Sequence, residues 1–149
     1  MRAVVQRVTS ARIVVESDIV GQIASGLMVL LAVGREDTAP VAASMAERIV
    51  NLRIFNDAEG KMNRSLLETG GALLAASQFT LYGDARGGRR PSFIQAAPPE
   101  LGRRLYEEFL RAVAQRGVHV QTGVFQTHMS VELVNDGPVT ILLDSDKLF

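Results

Sequence analysis

The chain has 149 residues, 47% of them apolar and 21% charged, which is enough for one domain (residues 1–149) around a proper hydrophobic core. Sixteen Lys and Arg balance 16 Asp and Glu, so the broad positive face of a non-specific nucleic-acid binder is missing; any RNA has to be gripped locally, and no DNA partner is expected. The absence of cysteine removes disulfides, thiolate nucleophiles and cysteine metal sites, and 2 histidines are too few for a histidine-rich centre, so no metal or other cofactor is expected.

Arg2 to Val8 and Ala11 to Val15 read as two valine-rich strands, followed by a turn at Ser17-Asp18 and a β-branched strand from Ile19 to Ile23. Arg7 is a charge inside the first of these, which on pattern alone is a solvated residue on the polar face. Leu27 to Val33 is apolar on both faces and reads as a central strand. It is also the longest apolar run, well short of the ~20 residues of a membrane span. The N-terminus alternates instead of showing an apolar signal-peptide core. The expectation is a soluble, cytoplasmic protein with no membrane partner.

The first helix is predicted to start at Asp37-Thr38, with Pro40 in the first turn where its missing donor is harmless. Val41, Met45, Ile49 and Leu52 recur at helical spacing and make one buried stripe. Leu52 to Phe55 returns to a strand, and Asn56 to Lys61 is a polar hairpin loop. Gly70-Gly71 breaks the chain ahead of the small-residue strand Ala72 to Ala76, which runs into Ser77-Gln78-Phe79-Thr80-Leu81. Hydroxyls, a carboxamide and an aromatic face at a strand end fit either a cavity lining able to stack a base or an edge strand meeting water.

Gly83 to Pro91 is a glycine-rich loop with Arg86, Arg89 and Arg90, suited to phosphate contacts or simply solvated; it lacks P-loop spacing. The second helix opens near Pro98-Pro99-Glu100, packs Leu101, Leu105, Phe109 and Val113 along one stripe, and ends at Gly117. Arg103 and Arg104 lie off that stripe and read as solvated. Val118 to Gln121 and Phe125 to Val134 are strands. Asn135-Asp136-Gly137-Pro138-Val139-Thr140 then stands between two strand-like runs. The plain reading is a hairpin turn; the other is a rigid corner that presents backbone carbonyls.

Taken together, Ser77–Leu81 and Asn135–Thr140, in this order and separation, resemble the paired signatures of the D-aminoacyl-tRNA deacylases. The likeness extends to the valine-rich start with Arg7, Lys61-Met62-Asn63, Arg90-Pro91-Ser92-Phe93 and the stretch from Gln121 to Met129. Between Phe125 and Met129 the chain carries Gln126-Thr127-His128 where the family has smaller residues.

The resemblance implies an α/β (α+β) fold, a β-rich barrel-like domain with two main helices, working as a homodimer. It implies an editing hydrolase that removes D-amino acids, and glycine, from the 3′-terminal adenosine of tRNA. Gly137-Pro138, in cis and reaching into the partner's site, is expected to exclude an L side chain, with Arg7 holding the pair. Thr80 and Thr140 are conceivable nucleophiles, but each needs an adjacent base. The family's use of the substrate's 2′-hydroxyl assigns the protein a positioning role. Gln78 and Phe79 are the expected backbone donors and positioning groups, Thr80 is secondary, Phe125 and Met129 line the pocket, and Ser77 meets the adenosine. Three other readings remain open from sequence: a non-catalytic RNA-end binding module, a relative with trans Gly-Pro acting on L-aminoacyl-tRNA, and a dimerisation scaffold.

Overall fold

In the computed structural model, which describes residues 1–149, the valine-rich start forms one strand, β1 (Arg2–Val15), where the sequence suggests two. It runs unbroken through Thr9-Ser10 because both of its edges are paired. One edge carries β3 (Gly26–Ala32) along Arg2–Val8 and then β2 (Asp18–Ile23) along Ala11–Val15; the other carries β8 (Ser130–Asp144). The reversal between β1 and β2 falls at Glu16-Ser17, one step before the expected position, with Glu16 at φ +55°.

β6 (Ala72–Ser77) lies parallel to β3, and β7 (Val120–Thr122) lies parallel to β6. The sheet then curls until β7 comes back against β2. A Cβ placed on Gly21 would stand 2.6 Å from the Thr122 carbonyl oxygen, so the seam closes only around glycine. The result is the nearly closed, barrel-like α+β architecture expected from sequence.

Alternate residues of β3 and β6 are buried on opposite faces of this sheet. Leu27, Val29, Leu31, Leu73 and Ala75 meet a layer of helices, while Met28, Leu74 and Ala76 turn inward to Val8, Ala11, Ile13 and Ile23. That double burial is why Leu27–Val33 is apolar without alternation. The helical layer is α1 (Ala39–Val50) packed on α3 (Pro99–Ala114), with Met45, Ile49, Leu105, Phe109 and Val113 fully inside. Val41 and Leu52 only border this core, and Leu52 lies beyond the end of α1. Gly117 takes φ +84° a little past α3, as a helix stop should.

Smaller elements join these. β4 (Phe55–Asn56) and β5 (Met62–Arg64) form a short hairpin, less than the Leu52–Phe55 strand expected. α2 (Leu66–Thr69) is a single turn held by a capping box between Ser65 and Glu68.

The largest correction concerns Asn135–Thr140. It is no hairpin turn: β8 continues through it, and the halves on either side both pair with β1. Gln6 faces Thr140 and Val8 faces Asn135, so Asp136, Gly137, Pro138 and Val139 together stand opposite Arg7 alone. A strand with that mismatch must bow out of its ladder. Turns and bows draw on the same residues, and the partner that decides between them lies at the far end of the chain. The preceding strand is also shorter than expected. It begins at Ser130, and Phe125–Met129 is an irregular turn with Gln126 at φ +58°.

Candidate active site

The parallel strands β3 and β6 end side by side, and crevices outside the carboxyl ends of parallel strands are the usual ligand sites of such sheets. Leu31 and Ser77 make the last pair; the Gln78 N–H then donates to the Leu31 carbonyl at 2.8 Å. There the chain leaves the ladder for a 3-10 turn, Phe79–Tyr82. The segment Phe93–Ala97 is fastened across the end of β3. Ala97 N–H donates to Val33 O at 2.9 Å and Arg35 N–H to Gln95 O at 3.1 Å. Pro99 and Gly102 of α3 and the turn Phe125–Met129 supply the remaining walls of a cleft of about 630 Å³. This is the size range of small-ligand sites.

Four expected residues converge here: Ser77, Phe79, Phe125 and Met129 all line the cleft. Phe79 is 57% exposed and meets Phe93 edge-on at 5.2 Å between centroids, leaving ring surface for a base. Phe125 packs against Tyr106, whose hydroxyl donates to the Ala75 carbonyl at 3.0 Å. Met129 reaches in because Gly123 has no side chain; a Cβ there would lie 2.5 Å from the Met129 sulfur.

Gln78 and Thr80 flank the cleft instead of lining it. The Gln78 N–H is already committed to Leu31, so the expectation of a free Gln78 backbone donor does not hold. As the first two residues of the 3-10 turn, Phe79 and Thr80 have N–H groups with no acceptor inside it. Sequence reading passed over Val33, Ala96, Ala97, Pro99 and Gly102 as cleft residues. Only Phe93 carried a signal, through its place in Arg90–Phe93.

The threonines are bonded to carboxamides. Gln78 Nε2 donates to Thr80 Oγ1, while Thr140 Oγ1 accepts from Asn135 Nδ2 at 3.1 Å and Gln6 Nε2 at 3.3 Å. An amide cannot take a hydroxyl proton, so neither threonine has the base a nucleophile requires. The nearby phenols offer none either. Burial pushes Tyr106 up, and burial followed by the Asp37 and Asp144 charges pushes Tyr82 up, so both stay protonated. No three His, Cys, Asp or Glu side chains converge as metal ligands.

Arg7, Gly137 and Pro138 lie outside this chain's own cleft. Arg7 is not solvated as its pattern suggests; it is buried. Its Nε donates to Asp136 O at 3.0 Å and its Nη1 to Ile54 O at 2.6 Å and Asn56 Oδ1 at 3.3 Å. The base of the bow is closed by Asn135, whose carboxamide accepts from Val139 N–H at 2.7 Å and donates to Val139 O at 3.2 Å. Beyond that base Gly137 and Pro138 are exposed and joined by a cis peptide bond, with Gly137 at φ +136°.

Comparisons with known proteins agree with this geometry. A family model described as D-Tyr-tRNA(Tyr) deacylase matches residues 4–144. A D-aminoacyl-tRNA deacylase of Symbiobacterium thermophilum is 60% identical over 149 residues, covering 100% of this chain and 99% of the relative. One of Kosmotoga olearia is 60% identical over the full length of both. Among solved structures, a protein named c-Myc DNA Unwinding Element Binding Protein superposes with a TM-score of 0.91 at 37% identity, covering 97% of this chain and 98% of its own. A structure described as a probable eukaryotic D-amino acid tRNA deacylase shares the fold, with a TM-score of 0.83 at 21% identity and coverage of 95% and 97%.

Proposed function

The chain belongs to the D-aminoacyl-tRNA deacylase family and is a hydrolase of aminoacyl-tRNA; from that premise we propose that it removes D-amino acids and glycine by substrate-assisted catalysis and rejects L-amino acids through a second copy of itself. The 3′-terminal adenosine enters the cleft at the end of β6, with Ser77 and Phe79 meeting the nucleoside and Phe125 and Met129 bounding the amino-acid side. The N–H groups of Phe79 and Thr80 face charge developing on the ester carbonyl oxygen. The tRNA's own 2′-hydroxyl orients the water that adds to the ester carbonyl and relays its proton to the 3′-oxygen as the ester C–O bond breaks, a role only RNA can fill.

The observation that carries this mechanism is the pairing of Thr80 and Thr140 with carboxamides alone. Selectivity falls to Gly137-Pro138. The corner is exposed, held by the buried Arg7 and absent from its own chain's cleft, so it serves a site only from a partner subunit. Its carbonyls would leave room for hydrogen or a D side chain at the α-carbon and collide with an L side chain. The outer edge of β8, with Val134 and Leu142 more than half exposed, supports a homodimer through this strand. The cytoplasm, where aminoacyl-tRNA is made and used, is the proposed location.

The test is release of free amino acid from D-Tyr-tRNA, L-Ala-tRNA and a D-Tyr-tRNA whose terminal adenosine is 2′-deoxy and charged at the 3′ position. Expected are rapid hydrolysis of the first, none of the second, and a loss of at least about a hundredfold on the third. Full activity on the 2′-deoxy substrate overturns the mechanism; hydrolysis of the L-ester overturns the selectivity.

A further inference from the structure

We propose that Arg103 is a positioning residue that grips the phosphodiester leading into the terminal nucleotide, an inference that rests on the reading of the cleft as the adenosine site. Its guanidinium carbon lies 4.7 Å from the centroid of the Phe125 ring, and Phe125 is a wall of the cleft. The charge therefore stands at the cleft mouth, preset by stacking on an aromatic face. Outside that mouth runs a polar groove along α3 that contains Arg103, Arg104, Glu100 and Glu107 and shares Pro99 and Gln126 with the cleft. A strand whose last nucleoside occupies the cleft leaves along this groove.

Arg103 is uncommitted within the chain. The ion pairs of the molecule engage Arg2, Arg7, Arg12, Lys61, Arg86, Arg111, Arg116 and the N-terminus, and none includes Arg103 or Arg104 despite the two glutamates in the same groove. Arg86 of the glycine-rich loop offers the contrast: both of its donating arms are closed on the Asp84 carboxylate. A planar fork of free donors, oriented by a stack, matches a tetrahedral phosphate in bidentate fashion. Phosphate contacts fix register without reading sequence, which suits an editor that must accept many transfer RNAs.

The experiment compares Arg103→Gln with the wild type on D-Tyr-tRNA and on the D-tyrosyl ester of adenosine, which has no phosphate. The expected result on tRNA is a KM roughly five- to tenfold higher with kcat little changed. The slope of log kcat/KM against log salt should flatten by about 0.7, the share of one single-strand phosphate. The loss on the phosphate-free ester should be at least fivefold smaller, and Arg103→Lys should restore the salt slope. Equal losses on both substrates would show that Arg103 only props Phe125, and an unchanged tRNA slope would show that it meets no phosphate; either overturns the proposal. Wild-type protein inactive on both esters would instead overturn the deacylase reading. In that event the anisotropy of an RNA hairpin with a four-nucleotide single-stranded 3′ end decides on Arg103 alone, the same flattening of slope supporting it and identical wild-type and variant slopes refuting it.

Discussion

The 3-10 turn Phe79–Tyr82 follows the end of a paired strand and the bow Asp136–Val139 interrupts one, and each carries exposed residues, yet they are fixed in different ways. The turn is held by main chain. The Gln78–Leu31 bond, the turn's own Leu81–Gln78 and Gly83–Thr80 bonds, and the Phe93–Ala97 segment fastened beside it carry most of its course, with Arg2 adding one side-chain bond to the Leu81 carbonyl at 3.0 Å. The bow is held by two side chains, Arg7 beneath it and Asn135 across its base. A surface built on main-chain bonds tolerates substitution, whereas one hung on a buried guanidinium is lost when that group goes.

Arg7→Ala should show the largest effect. It strands the Ile54 carbonyl and frees the bow, so a loss of roughly 2–4 kcal/mol is expected from urea unfolding. D-against-L discrimination should fall in the same variant while the cleft still binds adenosine. An unfolding midpoint equal to the wild type would break the contrast drawn here. Asn135→Ala removes the clasp but leaves the charge, and should cost about 1–2 kcal/mol with a partial loss of discrimination. Thr80→Ala sharpens the other half of the comparison. Stability should change by less than about 0.5 kcal/mol. Activity should fall less than about tenfold, against the several orders of magnitude that follow loss of a true nucleophile. A folded Thr80→Ala protein that binds substrate and is inert would refute substrate assistance.

The smallest effect concerns pH. Side-chain and then backbone hydrogen bonds from Arg86 hold the Asp84 carboxyl below the ordinary carboxylate range. A depressed carboxylate stabilises the loop at pH above its unfolded value of about 3.9 and ceases to as pH falls through the lower folded value. The NMR titration of Asp84 should therefore lie acid of a free aspartate. In Arg86→Ala it should move back toward the ordinary value.

The parts legible in the sequence were those set by near neighbours. Leu27–Val33 announced a strand buried on both faces, and Ala72–Ala76 running into Ser77–Phe79 marked a strand end, though its pattern fitted a solvated edge as well as a cavity wall. Gly117 marked the end of α3. The larger misreadings turn on partners distant in the chain. Thr9-Ser10 looks like a break until β2, β3 and β8 are seen pairing around it. Arg7 looks solvated until Ile54 and Asp136 arrive on either side. Ala96 and Ala97 have nothing in their local pattern to set them over a cleft; the Val33 carbonyl does that. Arg103 looks solvent-facing in the sequence because its stacking on Phe125 depends on the irregular Phe125–Met129 turn, which the local pattern presents as part of a strand.

The bow also turns its strand over. Set against Arg7 alone, Asp136 to Val139 give β8 an excess of three residues, an odd number. Val131 and Leu133 consequently pack into the barrel interior, while Val139, Ile141 and Leu143 pack toward the helices, although all five are odd-numbered and an unbroken strand would put them on one side. Loss or gain of one residue at the corner would make the excess even and send one of these sets to the wrong layer. Length changes at the corner are thus admissible only in pairs: parity confines the bow as firmly as any contact does.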